Sequence, residues 1–128
     1  MTDFEIALNN TFTLLKPQGI FRFIVPDIKE IAIDYVNSSS PDASVFFMKE
    51  TLLGSINSRR GIKGLIYSWL GNSDHLWMWD YPALELYLKR AGFQEIRRGY
   101  FHDSEDQRFT EVEEKARFVK SVCVQCRK

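Results

Sequence analysis

Leu14-Leu15-Lys16-Pro17-Gln18-Gly19-Ile20-Phe21-Arg22-Phe23-Ile24-Val25-Pro26-Asp27 is the stretch from which the fold can be read. Pro17 and Gly19 stop helices, so a helix that reaches Leu15 must turn there. Ile20 to Val25 is a short apolar, β-branched run broken only by Arg22, the pattern of a strand buried on both faces. Pro26-Asp27 ends it. Asp27, with Glu30 three residues on, has the spacing of a capping box that opens a second helix.

Toward the N-terminus, Asp3 is placed to cap a first helix whose apolar stripe is Phe4, Leu8, Phe12 and Leu15. After Asp27, the residues Ile28, Ile31, Ala32, Tyr35 and Val36 make one helical face that gives way at Asn37 and the polar loop Ser38-Ser39-Ser40. Ser40-Pro41 pairs a cap with a first-turn proline, predicting a third helix with Ala43, Phe46, Phe47 and Leu53 inward and Gly54 as its stop.

Residues 55–80 are the least regular part. They read as a loop carrying Arg59 and Arg60, a short helix from Ile62 to Leu70, a turn at Gly71-Asn72-Ser73-Asp74, and the aromatic run His75 to Tyr81. Pro82 to Ala91 predicts a helix that buries Leu84, Tyr87, Leu88 and Ala91, with Gly92 as its stop. Gln94 to Phe101 reads as a strand, His102 to Glu114 as an acidic excursion ending in a short helix, and Phe118 to Cys126 as the last strand. No internal repeat or linker interrupts the chain. The expectation is a single domain over 1–128 with a helical, aromatic-rich insertion at 38–80.

Composition narrows the function classes. With 45% apolar and 14% aromatic residues, 128 residues can build one core. Seventeen basic and seventeen acidic side chains balance to zero, which argues against a nucleic-acid-binding stripe. No apolar stretch approaches the ~20 residues of a membrane span. Met1-Thr2-Asp3-Phe4-Glu5 has no basic lead into an apolar run, so the expected setting is soluble and cytoplasmic. Cys123 and Cys126 have C-x-x-C spacing, but residues three apart on a strand point to opposite faces. With His75 and His102 lacking ligand spacing, the expectation is structural thiols and no metal.

Three stretches together resemble the C-terminal half of class I S-adenosylmethionine-dependent methyltransferases, in the branch that modifies small molecules. Leu15-Lys16-Pro17-Gln18-Gly19 is similar to the family's LKPGG turn, with Gln18 where glycine is usual. Asp74-His75-Leu76-Trp77-Met78-Trp79-Asp80-Tyr81 is similar to its H-x-W-M-Y-D stretch, and Leu88-Lys89-Arg90-Ala91-Gly92-Phe93 to the helix end before its sixth strand. The order helix, strand, helical insertion, helix, strand, excursion, strand matches as well. The resemblance implies an α/β fold: a partial Rossmann-like sheet of about three strands, mixed, the last antiparallel, with helices packed on it.

The family binds S-adenosylmethionine through a glycine-rich turn after its first strand and an acidic residue after its second. None of the seven glycines here forms G-x-G spacing, and no strand precedes Phe4. The cofactor is therefore implied by resemblance only, and the cofactor-binding half is expected to be absent from this chain. In the family the strand corresponding to residues 20–25 lies between the fourth and seventh strands. Without the fourth, one of its edges would be bare and would need a cover. A homodimer is the expected cover, because a two-fold interface reuses one self-complementary patch. A separate cofactor-binding half and rearranged local structure are the alternatives.

Ligands of open α/β sheets sit beyond the carboxyl ends of the strands, where Asp27 lies; it reads as a helix cap or as a polar substrate contact. His75 is the candidate catalytic base, since an imidazole titrates near pH ~6.5, or else a packed or surface histidine. Trp77, Trp79 and Tyr67 are core or interface aromatics, or substrate-binding rings able to face a sulfonium or ammonium. Arg60, with Arg59, is a clamp for an acidic substrate or a solvated loop residue. His102-Asp103-Ser104-Glu105-Asp106 lacks the glycine turn and closing bidentate acid of a cation loop. Two functions follow: the substrate-side portion of a small-molecule methyltransferase, or a non-catalytic module derived from one that self-associates or binds a ligand. A wrongly chosen start codon would make the chain a fragment of the former.

Overall fold

The computed structural model describes residues 2–53 and 77–128. Helix α1 (Thr2–Leu14) leads through the Pro-Gly turn into strand β1 (Ile20–Pro26). Helices α2 (Ile28–Asn37) and α3 (Ala43–Glu50) follow, then α4 (Tyr81–Arg90) and β2 (Gln94–Gly99). An excursion carries the short helix α5 (Arg108–Val112) and a 3-10 turn (Lys115–Phe118) before β3 (Ser121–Arg127) closes the sheet.

The sheet has the order β1-β3-β2. Strand β3 runs antiparallel to both neighbours, with Ile20 opposite Arg127 and Pro26 opposite Ser121 on one side. On the other, Gly99 lies opposite Cys123, and a bulge between Gln94 and Arg97 shifts the register, Glu95 taking a positive φ of 48°. Strands β1 and β2 point the same way but never touch, so both ladders are antiparallel where the sequence reading expects a mixed sheet. The strand covered on both faces is β3, whose residues Val122 to Cys126 are all buried. Strand β1, expected in that role, is half-buried throughout. Position in the sheet, rather than apolar content, decides which strand is enclosed.

One face of the sheet carries the core. Val122, Val124 and Cys126 pack with Leu8 of α1 and with Leu84 and Leu88 of α4, and Phe21, Phe23 and Val25 flank them. The stripe Phe4, Leu8, Phe12, Leu15 lies against this cluster as its spacing requires. Asp3 sits inside the first turn of α1 rather than capping it. Helix α4 starts at Asp80, whose carboxylate accepts the Ala83 amide at 3.0 Å, and ends in a Schellman turn. There Phe93 N–H bonds Leu88 O and Gly92 N–H bonds Lys89 O, both at 3.1 Å. Gly92 has φ 98°, a conformation strained for any other residue, and a Cβ there would also press on the Phe12 ring at 3.2 Å.

Helices α2 and α3 depart from the expected faces. Only Ile31 of α2 is buried, while Tyr35 and Val36 are exposed. Helix α3 begins after Asp42 rather than at Ser40-Pro41 and stops at Thr51, leaving Phe46 and Leu53 exposed. Helical periodicity marks an apolar stripe, but the described residues bring no layer over it. Lys120, just before β3, ties the two helices by pairing with Asp34 at 2.9 Å and Glu50 at 2.7 Å. Among the described residues, no helix is long and apolar enough to cross a membrane.

Candidate functional site

At the carboxyl end of β1 the chain turns sharply into α2, and Asp27 makes that turn. Its backbone N–H bonds Lys120 O at 3.0 Å, and the residue is 1% exposed. One carboxylate oxygen accepts the Lys29 amide at 2.9 Å, and the other lies 3.3 Å from an Arg98 terminal nitrogen. This is a cap plus an ion pair, and both oxygens are engaged. The reciprocal Glu30 arm of a capping box has no counterpart, because the Asp27 amide is held by β3's approach.

Trp79 bridges to Asp27 in parallel, its carbonyl accepting the Ile28 amide at 3.0 Å. Its ring turns inward, 4.1 Å from the Phe4 ring centroid and 5.6 Å from Tyr87. Trp77 is 57% exposed and shares no ring contact with it. The structure therefore brings Asp27 and Trp79 together through the backbone, not as an aromatic cage. His75, Tyr67, Arg60 and Arg59 lie outside the described residues. Tyr81 stands beneath the Arg98 guanidinium at 5.5 Å, and its hydroxyl is pushed to a higher pKa by burial and by Glu85.

The opposite face of the sheet holds a charged centre that sequence patterning missed. Arg22, the single polar residue of β1, points away from the helices and under the 100–118 excursion. Its Nε donates to Glu113 Oε1 at 2.6 Å, Nη1 to Gln125 Oε1 at 3.2 Å, and Nη2 to the Tyr100 carbonyl at 2.6 Å. Asp103 Oδ1 lies 2.9 Å from Nη1 but out of hydrogen-bonding line, an ionic contact that leaves this buried oxygen without a donor. The other Asp103 oxygen takes a 2.6 Å bond from Arg97. Burial pulls the Arg22 pKa down, and the Glu113 bond with the surrounding charges more than offsets it, so the guanidinium is held above its ordinary value. Asp103 ends below the ordinary carboxylate range: burial opposes this, but Arg97, the Tyr100 backbone and Arg22 prevail. The signal in the sequence was Arg22 itself, one cation in an otherwise apolar strand.

No family model, curated protein or solved structure matches this chain.

The two cysteines lie on opposite sides of β3. Cys126 is in the core, its Sγ 3.7 Å from Phe21 O, while Cys123 faces Gly99 and Arg22. Both are free and buried, and burial pushes their thiols up to about 12 and about 11 respectively. Such thiols are poor nucleophiles at neutral pH. Among the described residues, no group of three or more His, Cys, Asp or Glu side chains is arranged to hold a metal.

A groove of about 460 Å³ runs beside β1, floored by consecutive residues from Arg22 to Pro26 and walled by Phe109, Val112, Glu114 and Arg117 of the excursion. Five consecutive strand residues line one groove only where the strand's edge, not a face, is open. Among the described residues no strand pairs with that edge.

Proposed function

We propose that this chain is the substrate-side portion of a methyltransferase acting on a small molecule, with cofactor binding supplied by residues outside it. The observation that carries this reading is the order β1-β3-β2, with the last strand inserted antiparallel between the two before it. The sequence resemblance implies that neighbourhood for strand 20–25, next to the family's final strand. The Pro-Gly turn, the Asp27 exit and the Gly92 helix end lie at the junctions where the resemblance puts them.

The described residues do not themselves fit S-adenosylmethionine. Neither β1 nor β2 opens through a glycine-rich turn into a helix N-terminus. Among the described residues, the one helix that follows a strand directly is α2, whose Lys29 amide is met by the Asp27 carboxylate and whose Ile28 amide is met by the Trp79 carbonyl. What these residues contribute is a rigid sheet end at Pro26-Asp27. His75, by resemblance the base that accepts a proton from the substrate, completes the reading.

The engaged state of Asp27 favours a second reading, a non-catalytic module that binds a ligand or itself. Two observations separate the readings. Translation of the DNA upstream of Met1 should reveal an in-frame strand, glycine-rich turn and helix if the first holds. A stop codon immediately upstream, with no thermal shift on adding S-adenosylmethionine, would overturn it in favour of the second.

A further inference from the structure

Residues 103–119 cover the sheet face opposite the helices, and they hold to it without a core of their own. None of them joins the helix-side cluster, and Ser104 is the one buried residue of the stretch. Val112 and Val119 are 72% and 68% exposed. The grip on the sheet is polar: Glu113 and Asp103 hold Arg22, and Asp103 holds Arg97. Glu105 accepts from Gln125 at 3.1 Å and pairs with Arg127 at 2.7 Å. Among the described residues, the backbone-to-backbone hydrogen bonds of the stretch close within it or on Tyr100. Few buried apolar contacts and attachment through side chains mark a segment that opens before the rest of a fold.

The two ends of the stretch stand together, the Phe101 and Phe118 rings meeting edge-on at 5.5 Å. A left-handed residue marks each end, His102 at φ 58° and Lys120 at φ 51°. Neither is glycine, so each stores backbone strain that opening releases. We propose that residues 103–119 are a strap, hinged at His102 and Lys120, that lifts from the sheet as one unit while the helix-side core stays folded. Glu113 is its latch: one carboxylate oxygen accepts from Arg22 at 2.6 Å and the other from the His102 amide at 2.8 Å.

Cys123 lies beneath the strap and reports its position. This thiol is 2% exposed yet stands outside the helix-side cluster, on the face it shares with Arg22 and Gly99. Burial, Glu113 and Asp103 raise its pKa, while Arg22 and Arg97 lower it. The first three come with the closed strap, and the two guanidiniums belong to the sheet. Lifting the strap therefore removes what keeps the thiol protonated and leaves two cations beside it, the setting of a reactive thiolate. Cys126, three residues on in the same strand, packs in the helix-side cluster and is uncovered only when that core opens. One strand thus carries a probe for each face.

In the native full chain a disulfide reagent should reach Cys123 first. Among singly labelled chains, peptide mass spectrometry should find the label there about ten times as often as on Cys126. Low urea should speed Cys126 labelling and leave Cys123 labelling nearly unchanged, because lifting the strap exposes far less surface than unfolding the core. Leu84→Val weakens the core in the closed and lifted forms alike, so it should speed Cys126 about fivefold and leave Cys123 as it was. Glu113→Gln breaks the latch and should speed Cys123 at least about tenfold. Should that variant not fold, the wild-type urea series decides. Equal labelling of the two thiols with one urea slope overturns the proposal, as does Leu84→Val speeding both alike or a folded Glu113→Gln chain that labels Cys123 no faster.

Discussion

Arg22 and Glu113, 91 residues apart, meet through a 2.6 Å bond with side chains only 2% and 6% exposed. This pair pins the 100–118 excursion onto the sheet face that the helices leave bare. Removing one partner strands a buried charge. Arg22→Met should therefore lower unfolding free energy by about 3–5 kcal/mol in urea titrations. Arg22→Met combined with Glu113→Gln should recover part of that loss. Equal losses in the single and double variants would show that the pair is not coupled.

Gly99 explains why that centre fits. A Cβ built there would come 2.6 Å from both Arg22 Nη1 and Cys123 Sγ, closer than any real contact. Gly99→Ala should force the guanidinium aside, costing about 1–3 kcal/mol. Faster hydrogen exchange in the excursion than in α4 would locate the damage. A Gly99→Ala variant whose excursion exchanges like that of the wild type would refute the close-packing argument.

The ends of β1 and α4 were legible because local chemistry writes them. Pro17-Gly19 must turn, Asp27 caps, and Gly92 takes the one conformation that other residues resist, whereas the Asp80 cap of α4 emerges only from the structure. Strand alternation also separates Cys123 from Cys126 without any knowledge of the fold. The Arg22 centre was not legible, since Asp103 and Glu113 come from a polar stretch that reads as solvated until β3 folds it over β1. Burial of α2 and α3 failed for a related reason. Periodicity shows which residues share a face, but the neighbour that covers Val36 or Phe46 is a tertiary fact. Of the candidate site residues, Asp27 is the helix cap that its place after β1 suggests, and its Arg98 partner, 71 residues away, was out of reach.

Gln18 sits at φ 62° in the turn between α1 and β1, where Gly19 N–H bonds Lys16 O at 2.8 Å. With Pro17 before it, this is the turn position that demands a positive φ. A side chain costs ~1–2 kcal/mol there, and glycine's extra unfolded-state freedom takes back ~0.5–1. Gln18→Gly should therefore raise stability by about 0.5–1 kcal/mol, read as a higher melting temperature.

Acid should loosen the excursion. The Asp103 pKa is lowered on folding, so its contribution is present above the ordinary carboxylate pKa of 3.8 and is lost as pH falls below it. Asp103→Asn should flatten the stability profile in that window. Asp106, held at about 2 by Arg108, titrates there too, but Arg108 is largely exposed, so salt should weaken that pair's part and leave the Asp103 part standing.

Alkali should act through the thiols. Folding raises Cys123 from 9.0 to about 11 and Cys126 from 9.0 to about 12, both by burial. A raised folded pKa means that stability is intact below the unfolded value of 9.0 and declines as pH climbs toward those folded values. Cys126→Ala should cost some stability at neutral pH through lost packing, yet lose less than wild type between about pH 8 and about pH 10.5. The gap between the two slopes is of order 1 kcal/mol per pH unit. Thiol labelling offers a direct check: Cys126 should react with a disulfide reagent only when the chain unfolds, and its prompt labelling in the native chain would show that β3 is not the enclosed strand.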